Sequence, residues 1–276
     1  MLSVRLEGNR TSTVVELNTG IRRDGPPVTW MSPLTTLPSG EWRLDRFREL
    51  VATVREQGLS ARLELVRLDG TVKLRVSRLS GPRVYRLMPV DTPIDRVLSF
   101  LRRRAWVRSG RVRMSSGVRN LITGRNSEKL LHEWLSHPAE DGIKRPEGVT
   151  LRSVPASHDS PEPRLVRGSF TAEPVPLPAD WLLVRTVTDG WFDGRTRRVF
   201  LTVSEAFERT GDLIQSVHPF RMSMTLADMD AQFAGSVSRR VMTNGGYYCS
   251  KYGESVFGRI ESPALLFQEL PFTVEE

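Results

Sequence analysis

The stretch 61-ARLELVRLDGTVKLRV-76 decides the fold class, because it contains two alternating segments joined by a turn. Apolar residues alternate with charged ones over 61–65 and again over 72–76. Asp69-Gly70 lies between them, and this dipeptide is strongly favoured in two-residue hairpin turns. The stretch therefore predicts an antiparallel β-hairpin with one apolar face and one charged face.

The segments on either side of this hairpin extend the pattern. Residues 2–17 predict an N-terminal hairpin, and residues 44–54 carry apolar side chains at helical spacings of three and four. Thr92-Pro93 begins a second amphipathic helix, with its apolar stripe over 94–105, and a third helix is predicted over 127–136. Together these segments predict an α+β protein in which antiparallel hairpins pack against amphipathic helices.

A proline-rich segment divides the chain. Residues 138–179 combine prolines with serine and acidic residues, which predicts a Pro-rich linker or long loop. We therefore expect two subdomains: an N-terminal α+β unit over 1–137 and a C-terminal α+β unit over 180–276. In the second unit the sequence predicts strands near 181–188 and 197–203, a helix capped by Ser204 and a short helix after Thr225.

The composition is that of an intracellular globular protein. Hydrophobic residues make up 39% and charged residues 26% of the 276 residues, which favours a folded chain over a disordered one. The single cysteine, Cys249, excludes an intrachain disulfide and indicates a reducing compartment. With no long apolar run and no basic-apolar leader at Met1, the sequence predicts a cytoplasmic or nuclear protein without a transmembrane segment.

Arginine is the most unusual feature of the composition. The chain has 36 arginines but only 4 lysines and 12 alanines. A GC-rich gene would raise alanine as well as arginine, so base composition alone does not explain the bias. Two interpretations remain: selection for guanidinium chemistry, or a reading frame constrained by overlap with another gene in a compact viral genome.

The positive charge is concentrated in one segment, residues 83–125, which we call the basic segment. It contains eleven arginines, no lysine and two acidic residues, while the whole chain carries a net charge of +8. Guanidinium groups bind phosphates and stack on bases, and aromatic rings add stacking that tolerates any base sequence. The candidate nucleic-acid contacts are Arg96, Arg102, Arg103, Arg104, Arg108, Arg111, Arg113, Phe100 and Trp106.

These observations lead to three hypotheses of function. The first is a non-enzymatic accessory protein, of viral origin under the second interpretation of the arginine bias, that binds RNA or another polyanion. The second is an adaptor or structural protein whose basic segment docks on an acidic protein or an anionic membrane surface. The third is an enzyme whose site carries no recognisable motif.

The sequence gives no positive sign of catalysis, of a cofactor or of a metal. It has no phosphate-binding loop ending in Lys-Ser/Thr, no dinucleotide fingerprint and no Gly-x-Ser-x-Gly motif. His132 and His137 share one predicted helix, but a spacing of five residues suits a shared metal poorly in an α-helix. Cys249 is interpreted as a small buried apolar residue. We therefore expect no catalytic residues, no metal ligands and no cofactor.

Overall fold

The structure of the chain is a computed structural model. It describes residues 4–9, 12–18, 44–59, 61–68, 71–78, 84–102, 111–154, 164–243, 245–251 and 254–275. The chain divides into two compact units: unit 1 comprises Met1–Ala105 with Pro155–Glu162, and unit 2 comprises Trp106–Val154 with Pro163–Glu276. These bounds differ from the predicted 1–137, 138–179 and 180–276.

Unit 1 contains an antiparallel sheet whose five strands are paired in chain order. The predicted hairpin at 61–76 is confirmed, with Leu65 opposite Leu74. Both predicted helices are present, and their apolar stripes form one core with the sheet. The elements are β1 Val4–Asn9, β2 Ser12–Asn18, α1 Leu44–Glu56, β3 Ala61–Leu68, β4 Thr71–Arg78, β5 Val84–Pro89 and α2 Ile94–Arg102.

Unit 2 begins with two strands and a helical segment of thirteen residues that changes its winding halfway. The segment starts as an α-helix, passes through a π-helix and ends as an α-helix. No helix in the described residues is long and apolar enough to span a membrane. The elements are β6 Arg111–Val112, β7 Gly117–Asn126, α3 Glu128–Leu131, the π-helix His132–Ser136 and α4 His137–Glu140.

The rest of unit 2 consists almost entirely of strands. β10 pairs with both β7 and β11, and these pairings with β13 and β17 join five strands into a ring. A second sheet has the order β15-β16-β9-β8. The elements are β8 Val149–Val154, β9 Arg164–Phe170, β10 Trp181–Asp193, β11 Arg198–Thr210, β12 Leu213–Val217, β13 Phe220–Thr225, α5 Leu226–Gln232, β14 Phe233–Ser236, β15 Tyr247–Lys251, β16 Glu254–Glu261 and β17 Leu265–Glu275.

An aromatic cluster fixes the helical segment in unit 2. Trp134 of the π-helix is fully buried, and its ring lies 4.8 Å from that of Phe267 and 5.7 Å from that of Phe170. Its indole Nε1 donates to Asp230 Oδ1 at 2.7 Å, so the polar atom of the ring is also satisfied. This packing holds the residues beside Trp134 in fixed positions.

The predicted α+β class is wrong, because strands dominate the described residues and unit 2 is not built of hairpins covered by helices. The helix predicted after Ser204 is instead the second half of β11, which pairs with β10 and β12. The segment 138–179 contains the strands β8 and β9, and its prolines lie outside these two strands. The short helix after Thr225 is confirmed, with Thr225 Oγ1 accepting from the Asp228 N–H.

Candidate metal centre

The π-helix brings His132 and His137 to the same face of the helical segment. In an α-helix, five residues turn through about 500°, which leaves the two side chains some 140° apart. In the π-helix the His137 N–H donates to the His132 carbonyl five residues earlier. One wider turn therefore separates the histidines, and their ring centroids lie 4.2 Å apart.

Cys249 of β15 completes a group of three candidate metal ligands. Its Sγ lies 3.5 Å from His137 Nε2, and one ligand atom from each of His132, His137 and Cys249 lies within 4.8 Å of the others. Tetrahedral zinc bonds of about 2.0 Å to nitrogen and 2.3 Å to sulfur place those two atoms about 3.5 Å apart. The spacing of His137 and Cys249 therefore matches that of two zinc ligands.

The surroundings of His132 select the tautomer that a metal requires. The Tyr247 hydroxyl donates to the Val166 carbonyl at 2.8 Å, so it can only accept from His132 Nδ1, 3.1 Å away. This leaves His132 Nε2 deprotonated, buried and without a hydrogen-bond partner. Burial lowers the pKa of His132 well below its usual value, and His137, Lys129 and Arg164 lower it further. A neutral imidazole with a free Nε2 is the form that binds metals.

Glu133 is a buried carboxyl group beside the ligands. Its Oε1 lies 2.9 Å from Lys129 Nζ and its Oε2 lies 3.3 Å from His137 Nδ1. Burial raises the pKa of Glu133 to about 7, against the opposing effect of Lys129, and Asp189 raises it further. The contact with His137 also orients that ring, as carboxylates beside the other ring nitrogen commonly do for metal-binding histidines.

Two cations lie close to the Cys249 thiol. Burial raises the pKa of Cys249, while Lys129 and Arg164 act to lower it. The Arg164 Nη1 donates to the Cys249 carbonyl at 3.1 Å and lies 3.8 Å from Sγ. A bound metal ion would take the thiol as thiolate, so binding should release a proton.

The donor set fits zinc in a catalytic type of site. Two imidazole nitrogens and one thiolate leave the fourth tetrahedral position for water or substrate, the arrangement typical of catalytic zinc. The free, buried Nε2 of His132 supports this fit, because such an atom is costly without a ligand. An α-helical spacing argues against the two histidines, and a lone cysteine is typical of a small buried residue, so the sequence alone does not predict this group. The signal that could have found them is the sequence H-E-x-x-x-H at 132–137.

The predicted nucleic-acid contacts are divided between the two units, and some lie outside the described residues. Arg96 and Arg102 are exposed on α2 of unit 1, where Arg102 donates to Gln57, and Phe100 packs on the core. Arg113 is exposed in unit 2 and Arg111 lies in β6. Their proposed role stays a prediction. Four others lie outside the described residues: Arg103, Arg104, Trp106 and Arg108.

Comparison with known proteins gives matches of fold only. No family model and no curated protein sequence matches the chain. A structure of TldE from Thermococcus kodakarensis is 9% identical, with a TM-score of 0.49 over 91% of this chain and 81% of that one. A proposed modulator of DNA gyrase from Bacteroides thetaiotaomicron is 12% identical, with a TM-score of 0.48 over 84% and 72% of the two chains. Another, from Thermotoga maritima, is 10% identical, with a TM-score of 0.45 over 77% and 67%.

The predicted non-enzymatic, RNA-binding accessory protein is wrong, as is the viral interpretation. The chains with similar folds come from an archaeon and two bacteria, and they are described as TldE or as proposed modulators of DNA gyrase. Such a likeness concerns the fold and assigns no activity. Binding of RNA or of an acidic protein has no support in the described residues.

Proposed function

We propose that the protein is a zinc-dependent hydrolase that cleaves an amide or ester bond. The observation that carries the proposal is the arrangement of His132, His137 and Cys249 as three ligands with Glu133 beside them. Helical zinc sites of hydrolases commonly present two histidines four residues apart, with a glutamate after the first as general base. Here the spacing is five, and the π-helix supplies the extra residue.

Glu133 is the proton carrier in this proposal. Its pKa of about 7 lets the carboxyl group exchange protons near neutral pH, as an efficient general acid–base requires. Glu133 takes a proton from the attacking water as the new C–O bond forms, and returns it to the leaving group as the C–N or C–O bond breaks. A zinc ion, when bound, would polarise the substrate carbonyl and acidify water.

Lys129 and His137 set the orientation of Glu133. Lys129 lies one helical turn before the glutamate and His137 one turn after it, and their side-chain nitrogens lie 2.9 Å and 3.3 Å from its two carboxyl oxygens. A carboxyl group held in one orientation rarely populates rotamers that cannot react, which is the benefit of preorganisation. This arrangement supports a chemical role for Glu133 rather than a purely structural one.

The test compares metal content and hydrolysis in matched variants. We expect the purified protein to bind about one zinc ion, to hydrolyse a fluorogenic peptide or ester library, and to lose that activity with a chelator. Glu133→Gln should keep the zinc and lose at least about a hundredfold in kcat. His137→Ala and Cys249→Ser should lose the zinc itself.

Two results would overturn the proposal. The first is a wild-type protein that binds no zinc under reducing conditions. The second is zinc binding with no hydrolysis of any library member, which would make the metal structural. Hydrolysis that Glu133→Gln leaves intact would remove Glu133 as the proton carrier.

A further inference from the structure

Glu128 makes an unusual contact for the first residue of a helix. Its Oε1 accepts the N–H of Gly245 at 2.6 Å and the N–H of Gly246 at 3.1 Å, and the side chain is buried. An acidic residue in the first turn commonly serves its own helix N-terminus. Glu128 instead binds a turn 117 residues further along the chain.

That turn leads directly into the strand that carries Cys249. Gly246 has a φ of +62° and immediately precedes β15, and Cys249 follows three residues later. A Cβ on Gly246 would lie 2.2 Å from the Phe257 ring, so this backbone fits only glycine. The turn therefore has a defined shape, and the carboxyl group of Glu128 holds it to the helical segment.

Several hydrogen bonds join the helical segment to β15 and to the turn before it. Glu128 holds the turn, Lys129 Nζ donates to the Tyr248 carbonyl at 3.3 Å, and His132 contacts the Tyr247 hydroxyl. Glu128 and His132 are four residues apart across the α-helical part of the segment, so they share a face. The candidate ligand His132 therefore lies on the same face of the helical segment as Glu128, which binds the turn before Cys249.

We propose that Glu128 is a positioning residue that fixes the third ligand, Cys249, relative to the two histidines. This inference rests on the proposed function for the role of Cys249 as a ligand. Two hydrogen bonds to one carboxyl oxygen restrain the turn, and the restraint passes along three residues of strand to the Cys249 Sγ. Without it, the thiol moves away from His137 and the ligand set loses its preorganised spacing.

The experiment uses three substitutions of Glu128 and one control in the full chain. Glu128→Ala removes the acceptor, Glu128→Asp keeps the charge but shortens the reach, and Glu128→Gln keeps an acceptor oxygen at the same place. The control is Glu205→Gln, because Glu205 is another buried glutamate of unit 2, bonded to Thr186 and Arg185. Circular dichroism establishes that each variant is folded.

Zinc affinity and the cobalt spectrum report on the ligand set. We expect Glu128→Ala and Glu128→Asp to raise the zinc Kd by about 10- to 100-fold, the usual effect of losing an outer-shell contact. With Co²⁺ in place of zinc, the thiolate-to-cobalt charge-transfer band should weaken in both variants. Glu128→Gln should recover most of the affinity, and Glu205→Gln should match the wild type.

Labelling of the thiol in metal-free protein tests the positioning role by itself. Cys249 is the only cysteine of the chain, so a chromogenic disulfide reagent reports on this residue alone. We expect labelling of Glu128→Ala and Glu128→Asp to be at least about tenfold faster than wild type, since a buried thiol reacts only through local opening. Glu128→Gln and Glu205→Gln should label slowly.

The outcomes separate the two proposals. Wild-type labelling rates in Glu128→Ala or, if that variant fails to fold, in Glu128→Asp would overturn the positioning role. If the wild-type protein binds no zinc but the same variants label faster, the proposed function fails and the positioning of Cys249 by Glu128 stands.

Discussion

His132 has one ring nitrogen bonded and the other buried without a partner. The Tyr247 hydroxyl makes Nδ1 the bonded nitrogen that carries the proton, because the hydroxyl donates its own proton to the Val166 carbonyl. This makes Tyr247 the residue that keeps Nε2 available, although it is too far along the chain for a motif to reveal it. A single hydroxyl group thus fixes the protonation pattern of the proposed ligand.

Removal of that hydroxyl should weaken metal binding more than it weakens the fold. We expect Tyr247→Phe to raise the zinc Kd by about 10- to 100-fold and to lower the free energy of unfolding by about 1 kcal/mol. Competition with a chromophoric chelator and urea denaturation measure the two effects. Tyr248→Phe is the control, since alternation along β15 places its side chain on the other face; equal effects of both variants would contradict the prediction.

The pKa of Glu133 predicts a pH-dependent stability of the metal-free protein. The folded-state pKa of about 7 lies above the ordinary value of 4.5, so the stabilising contribution is complete below pH 4.5 and is lost as pH rises through 7. Glu133→Gln has no such loss. From pH 5 to pH 8, the free energy of unfolding of the wild type should therefore fall, relative to that of Glu133→Gln, by up to about 3 kcal/mol.

Urea denaturation in the presence of a chelator measures this difference at each pH. Comparing the change with pH, rather than the absolute stability, removes the separate cost of leaving Lys129 without its partner. A difference that stays constant from pH 5 to pH 8 would show that Glu133 titrates normally.

At the scale of elements, the π-helix is the feature that sequence patterns could not supply. The helix over 127–136 was predicted from its apolar residues, and the structure has a helical segment there. The sequence does not predict the π-helical winding, because π-helices are rare and occur mostly as single turns within α-helices. The spacing of His132 and His137 therefore argues against a shared metal as long as the segment is taken as a regular α-helix.

Other elements show the same division between local and non-local information. The hairpin at 61–76 is specified by its own alternation and its Asp-Gly turn, and it was predicted. β11 was cut short at Ser204, because Ser204-Glu205 resembles a helix start while the pairing with β10 and β12 continues the strand. Cys249 lies 112 residues after His137, so only the pairing of distant segments brings the two together.

Gly190 of β10 lies in close contact with both β11 and the π-helix. A Cβ on Gly190 would lie 2.9 Å from the Phe200 carbonyl oxygen and 3.2 Å from Glu133 Cγ. Gly190→Ala should therefore lower the unfolding free energy by about 1–3 kcal/mol and reduce hydrolysis by displacing Glu133. Urea denaturation and kcat measurements test both parts.

Gly211→Ala is the matched control for Gly190. It has a φ of +57° and no atom within 4 Å of the added methyl group, so its cost is backbone strain of about 1 kcal/mol. It should leave kcat unchanged. Equal loss of activity in both variants would mean that the effect at Gly190 is general instability.

At the scale of the whole molecule, the candidate metal centre belongs to one unit. The ligands, Glu133 and Glu128 all lie in unit 2, whereas the basic segment is divided between the units. Among the described residues, the core of unit 1 is complete without any of the ligands. Metal binding should therefore act on unit 2 directly.

Hydrogen exchange should show this localisation. Zinc at about a thousand times its Kd stabilises the unit that binds it by about 4 kcal/mol. Amide exchange should slow in β15, β16 and the helical segment on adding zinc, while the strands of unit 1 exchange at unchanged rates. Equal protection of both units would contradict a centre confined to unit 2.

The Cys249 thiol also bears on which ions can occupy the centre. Thiolate and imidazole are poor ligands for Mg²⁺ and Ca²⁺, which prefer oxygen, so the abundant cellular cations should not compete there. The same softness opens the centre to copper, cadmium and mercury. A protein built around this ligand set would tolerate a high background of magnesium and yet be poisoned by traces of thiophilic metals.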